Sequence, residues 1–466
     1  MSTTLQKFSL VPTIFLLNLF FFLSAQAQDI EAQIKFLSLK PPTAVVSGKF
    51  LNGKRSNSFL QTYADAENLD ARIENPEFSE TDFSYRIKLS VPKNLSAAAH
   101  VSWLAETHGL IMLNDLLPQF SQKTSAKIIF ELPADWRIST NEKEIRDKIF
   151  SVENIETAVF LIGKGWRENQ ISVDKTAIDF AVSGNWEFTD AEATKMSAEI
   201  LAEYLKIFGE IPTQKINVFL LPFPQNAGFD RWRAETRGAN VTILSSPTTF
   251  KHQSAQRLHE QLRHEIFHLW IPNGVNLSGD YAWFYEGFTH YAALRVGVEL
   301  NRISFNDFLN TLNQAVFLTE RRSQPLSLIE ASKNRWNGEN SSVYAKGLAV
   351  AFLIDVALLR SGSGDILKVF REVFQKHRLS KNAENGNAAV LNILKSNKEL
   401  IPIIENYIRG AEKINWETDL QASGIEVIRE NSGTQLKIKE KAKGREGDLL
   451  NKLGYNNWRK LLKNSK

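Results

Sequence analysis

The chain contains no cysteine among its 466 residues. Disulfides, thiolate metal sites and lipid attachment through sulfur are therefore excluded, and an oxidising compartment poses no hazard to it. Histidine is also scarce, at eight residues, so any cluster of it stands out. No block of one charge dominates: 56 basic residues face 52 acidic ones, and no basic stretch interleaves with aromatics, which argues against a nucleic-acid partner. Internal repeats and low-complexity linkers are absent. What is plentiful is apolar material, 43% of the chain, enough to bury a large core. A chain of this length is expected to divide that core among two or three domains.

The N-terminus, "MSTTLQKFSLVPTIFLLNLFFFLSAQAQDI", has Lys7, then an apolar run from Phe8 to Leu23, then Ala25-Gln26-Ala27. That order fits an export signal cut after Ala27, so residues 1–27 read as a signal peptide and the remainder as periplasmic or extracellular. Left uncleaved, the same segment is a single-span anchor, which is the only membrane contact expected. No second apolar segment reads as long enough to span a bilayer.

Residues 28–165 read as a β-rich domain. In "FSYRIKLSV", residues 83–91, apolar side chains alternate with polar ones at period two. Near residue 165 the period changes. "AIDFAVSGNW" reads as a strand, and "TDAEATKMSAEILAEYLKIFG" as a helix opened by a capping box from Thr189 to Glu192 and closed at Gly209. "KINVFLLPFP" reads as a buried strand that Pro222 and Pro224 end. Helices follow near 254–271, 281–297, 304–318, 341–360 and 364–377. Strands before helices imply an α+β fold, with a catalytic domain over 166–300 and a helical lobe over 301–415. Residues 416–466 form a short basic C-terminal segment, of which the last thirty or so residues, 436–466, read as a solvated tail.

"LRHEIFHLWIPNG", residues 262–274, lies in a helical pattern that stops before Pro272. Positions four apart share one helix face, so His264 and His268 can turn imidazole nitrogens to one ion. Catalytic zinc usually takes three protein ligands and leaves a fourth position open. The third is expected to be Glu286 in "YAWFYEGFTHY", on a second helix folded back by a turn containing Pro272, Asn273, Gly274 and Gly279. Glu265, about 100° round the helix from His264, is placed to take a proton from attacking water without binding the ion. Tyr344 in "SSVYAKGLAV", at the start of an amphipathic helix, is the expected donor to the developing oxyanion. Two histidines and a carboxylate also suit non-haem iron, but that chemistry leaves Glu265 without a task. His290 is placed beside the site or on the surface, His252 and His259 on exposed helix positions, and His100 and His108 in structural or surface roles.

"HEIFHLW", "WFYEGFTHY" and "VYAKG" together resemble the gluzincin zinc metallopeptidases, most closely the glycyl aminopeptidase family, with the membrane alanyl aminopeptidases as wider relatives. The resemblance implies a thermolysin-like catalytic domain behind a β-rich domain, with zinc held by His264, His268 and Glu286. It also implies Glu265 as general base, Tyr344 as transition-state donor, and peptides as substrates. Seventeen residues separate His268 from Glu286, one fewer than is usual in the alanyl family, and the PDZ domain common in the glycyl family is not expected in the short stretch after about residue 415. The aminopeptidase relatives hold the substrate's α-amine with a glutamate in a Gly-x-Met-Glu-Asn-type strand; here "RWRAETRGANVTIL" offers Glu235. Three functions are compatible with this pattern: an aminopeptidase, an endopeptidase with the same site, and a non-catalytic zinc-binding surface protein. Oligomeric state is not legible.

Overall fold

Alternation in residues 83–91 produces the strand it predicts. In a computed structural model describing residues 28–60, 70–322, 324–430 and 433–459, Phe83, Tyr85 and Ile87 of the strand Asp82–Lys88 point into a core while Arg86 and Lys88 face out. The segment 1–27, expected to be an export signal, lies outside the described residues. The strand belongs to a seven-stranded sheet in which Ile30–Leu39 pairs antiparallel with Pro42–Phe50 and parallel with Ala126–Glu131. A four-stranded sheet built on His108–Met112 and Val159–Gly163 completes the N-terminal part.

Beyond residue 166 lies a five-stranded mixed sheet. Its order is Arg167–Val173, Thr176–Val182, Lys215–Pro222, Asn240–Ser245 and Trp232–Arg237, with the three central strands parallel and both edges antiparallel. Trp103, Leu110, Val159, Leu161 and Trp166 pack against Phe219, Leu221 and Leu244 of this sheet in one apolar seam. The N-terminal part and the part beyond residue 166 are thus joined by buried side chains.

Helix α1 (Asp190–Phe208) connects two of the parallel strands. Its capping box forms as expected: Glu192 N donates to Thr189 Oγ1 over 3.1 Å and Thr189 N to Glu192 Oε2 over 2.8 Å. Gly209 ends it at φ 89°, a left-handed conformation that a side chain would disfavour. Tyr204 Oη donates to the Arg263 carbonyl over 2.6 Å, and Phe208 stacks on Trp270 at 4.8 Å, which fixes α2 (Lys251–Phe267) on α1. A π-helical turn, Trp283–Phe288, then leads into α3 (Thr289–Glu299), followed by α4 (Phe305–Glu320), α5 (Leu328–Lys333), α6 (Asn340–Ser361) and α7 (Ile366–His377).

Two sequence expectations need correction here. By length and composition α6 is apolar enough to cross a membrane, contrary to the expectation that no second segment is. It is buried on nearly every face within the main core, so it is not amphipathic either. Nor is the basic C-terminal segment a solvated tail. It forms a hairpin, Ile425–Glu430 with Gly433–Ile438, and helix α8 (Arg445–Lys452). Leu436 exchanges two hydrogen bonds with the Asn313 side chain, at 2.7 and 3.1 Å, and Leu449, Leu450 and Leu453 enter the main core. The basic charge of this segment masked an apolar spacing that marks one buried face.

Replacing Leu450 by Ala is expected to lower stability by roughly 2–5 kcal/mol, as for other buried leucines. Urea unfolding measures it; an unchanged midpoint would mean that the C-terminal segment lies free.

Candidate metal centre

Helix α2 carries His264 and Glu265, and His268 closes it with helical backbone angles. His268 Nδ1 lies 2.9 Å from the Ile271 carbonyl, a partner that can only accept. The ring proton is therefore on Nδ1, and the Nε2 lone pair is turned inward. That Nε2 sits 3.1 Å from His264 Nε2, and Glu286 Oε2 lies 3.1 Å from His264 Nε2 and 3.6 Å from His268 Nε2. Four zinc bonds of 2.0–2.1 Å in a tetrahedron put neighbouring ligand atoms about 3.3 Å apart. The three donors fit that spacing, and with two imidazoles and one carboxylate they suit zinc.

Glu286 reaches this position through glycine. It lies in the π-helical turn, a wider geometry common at functional sites, and Gly287 follows it. A Cβ at Gly287 would meet the Val343 carbonyl at 2.4 Å and Gly347 Cα at 2.7 Å. Only paired glycines let the turn and α6 approach this closely. As a result Tyr344, on α6, donates its hydroxyl to Glu286 Oε2 over 2.6 Å. The other carboxylate oxygen, Oε1, is held at 2.9 Å by Arg335 Nη2. Arg335 also lies over the Trp336 ring at 4.4 Å and the Tyr285 and Tyr344 rings at 5.9 Å, so its charge is caged by aromatic faces.

These neighbours set the charge states. Burial alone raises the pKa of Glu286, but Arg335 and the two imidazoles outweigh it and hold the group well below the usual carboxylate range. Glu265 is shifted the other way. Burial raises it, the histidines oppose the rise and the Glu286 charge adds to it. Thr236 Oγ1 sits 2.9 Å from both Glu265 Oε2 and the Glu265 carbonyl, which fixes the side chain. Burial, with His264 and Arg263 nearby, depresses His290 to about 3, so it stays neutral beside the site. Its ring is 6.1 Å from His264 and 6.4 Å from Tyr344.

A cleft of about 880 Å³ opens over these groups, a size common for ligand sites. Glu235 lines it from the edge strand Trp232–Arg237. Arg237 Nε lies 2.9 Å from Glu235 Oε1, and His100 Nδ1 lies 2.6 Å from Oε2. Burial pushes the Glu235 pKa up, but Arg237 and His100 bring it down to about 2. Thus all six residues singled out in the sequence line one cleft. Sequence reasoning missed Arg335, Thr236, Arg237 and His100. The last is 135 positions from Glu235, and no local pattern could have joined them. His252 is exposed as expected, but His259 is buried, because α2 turns that face to the core.

Residues 190–403 match the model of the peptidase family M1 domain. They form an M1 domain. The match spans every residue of the metal cluster, both glycines and Tyr344. No curated protein matches the chain. Among solved structures, an aminopeptidase N family protein from Idiomarina loihiensis is similar with a TM-score of 0.72 and 16% identity, covering 86% of this chain and 79% of that one. An M1 zinc metallopeptidase from Deinococcus radiodurans, in a variant bound to Tyr-Ser-Ala, aligns with a TM-score of 0.55 and 11% identity over 83% and 94% of the two chains. The chain therefore shares its fold, N-terminal β part included, with proteins of very different sequence.

Two measurements follow from this geometry. Arg335→Gln should weaken zinc binding about 10- to 100-fold, as loss of a group orienting a ligand usually does; chelator competition on folded protein reads it, and unchanged affinity would reduce Arg335 to a packing role. Glu235→Gln should cost about 3 kcal/mol at neutral pH, the equivalent of its downward shift. The depressed carboxylate stabilises the fold above its unfolded pKa of about 4.5 and loses that contribution as pH falls toward about 2. In urea melts the gap between the two proteins should therefore be widest near neutrality and narrow under acid; a gap independent of pH would exclude the ion-pair origin.

Proposed function

We propose that the M1 domain is a zinc-dependent peptidase that removes residues from the N-termini of peptides. The observation that carries this reading is the meeting of His264, His268 and Glu286 at tetrahedral spacing, with Glu265 beside them, on the floor of a peptide-sized cleft. When bound, zinc supplies Lewis acidity, polarising a carbonyl and making water acidic enough to attack it near neutral pH. Glu265, buried and of raised proton affinity, takes the proton of the attacking water and passes it to the leaving amine. Thr236 keeps its carboxylate turned to that task. Tyr344 turns its single hydroxyl hydrogen from Glu286 Oε2 to the carbonyl oxygen as negative charge grows there. Its pKa is raised by burial and by the Glu286 charge, so it remains a donor throughout.

Glu235 supports the choice of an N-terminal cut. It is an ionised carboxylate on the cleft wall, of the charge that suits a substrate ammonium. Its engagement by Arg237 and His100 favours a second reading, in which the carboxylate is structural and the enzyme cuts within peptides. Place of action enters the proposal through the N-terminal pattern of Lys7, an apolar run and Ala25-Gln26-Ala27, which supports export to the periplasm or exterior.

The test is mass spectrometry of an unbiased peptide library after incubation with the zinc-loaded protein, beside Glu265→Gln. The expected outcome is new N-termini one residue inside the original ends, absent with the variant although it retains zinc. N-acetylated peptides should survive, and Glu235→Ala should raise KM sharply. Equal cleavage of acetylated and free peptides would establish the endopeptidase. No cleavage by folded, zinc-loaded protein would leave a zinc-binding protein without peptidase chemistry.

A further inference from the structure

Helix α6 separates two cavities. Tyr344 faces the metal cleft; Lys346, two residues on and so about 200° round the helix, faces a pocket of about 380 Å³ on the opposite side. Its walls are apolar where Leu318, Leu326 and Ile414 contribute, and its polar groups are mostly donors. Lys346 is 6% exposed, forms no ion pair among the described residues, and gives one hydrogen bond, to the Leu326 carbonyl at 2.6 Å. An ammonium has three donors, so the others are unspent. Trp416 is 1% exposed, and its indole N–H has no acceptor. Arg322 pairs with Glu339 at 2.6 Å and with Ser342, yet its Nε has no acceptor either.

Buried donors without acceptors are costly, and native proteins rarely keep several in one place. Two such donors beside a lysine ammonium with unspent hydrogens mark the pocket as one for an acceptor, and the first turn of α6, through Ser341 and Ser342, adds the positive end of a long helix. The carboxylates nearby do not serve. Glu320 accepts from Thr434 N and Oγ1, at 3.2 and 2.7 Å, Glu417 is paired with Arg429, and Glu412 is exposed at the rim. Lys413 at the mouth adds positive charge.

We propose that this pocket is a second binding site, for a small carboxylate bearing an apolar side chain. Its carboxylate meets the Lys346 ammonium, and its side chain lies against Leu318, Leu326 and Ile414. Burial depresses Lys346 to about 8, the state of an ammonium that lacks a counter-ion. The size falls within the range of small-molecule sites. The site stands independently of peptide hydrolysis, since no residue of it belongs to the metal cleft.

The experiment is calorimetry with isocaproate on the zinc-loaded protein, using the neutral isocaproamide as control. Saturable binding is expected, at least ~10-fold weaker for the amide and for Lys346→Met, as for the loss of a charged hydrogen bond. Binding should persist in His264→Ala, which removes the other place where a carboxylate could ligate. Should Lys346→Met fail to fold, Ser341→Trp, at an exposed position on the pocket wall, should block the site instead. Absence of saturable binding, equal affinity for the amide, or binding lost in His264→Ala but kept in Lys346→Met and Ser341→Trp would each overturn the proposal.

Discussion

The contact between Gly287 and Gly347 governs the rest of the site. Neither position has room for a single carbon, since each Cα lies against the other's backbone. Without that approach the turn bearing Glu286 and the helix bearing Tyr344 would stand a side chain apart. One carboxylate oxygen could then not face two imidazole nitrogens and a phenol together. Chemistry here depends on two residues that carry no chemistry.

Around this contact, charge is arranged so that adjacent carboxylates behave differently. Glu286 sits among a guanidinium and two imidazoles and stays ionised; Glu265, equally buried, has a hydroxyl for its partner and holds its proton more tightly. A ligand must offer a stable anion, whereas a base must accept and release a proton near the working pH. Both properties arise from neighbours supplied by separate elements: Arg335 after α5, Thr236 on an edge strand.

Much of this was legible in the sequence, and the reasons are physical. The i, i+4 pair in "HEIFH", the capping box at Thr189 and the alternation of residues 83–91 are all short-range consequences of helix and strand periodicity, so they survive translation into structure. What escaped was long-range or masked. His100 meets Glu235 across 135 positions, and Arg335 meets Glu286 from a single 3-10 turn, Arg335–Asn337, too short to leave a periodic signal. The C-terminal segment was misjudged because charge was weighed above the spacing of Leu449, Leu450 and Leu453. His259 was misjudged because polarity was taken for exposure, although its helix face is turned inward.

The position of His100 also shows where the working unit of this protein ends. Residues 190–403 are what family likeness delimits, and they contain all three members of the candidate metal cluster. Yet the partner that helps keep Glu235 ionised comes from the β-rich part, across an apolar seam that locks the two parts together. Transplanted alone, the family segment would carry a metal centre with one wall of its cleft missing. In this chain the inherited module is smaller than the machine, and the N-terminal sheets are as much a component of the active surface as a support for it.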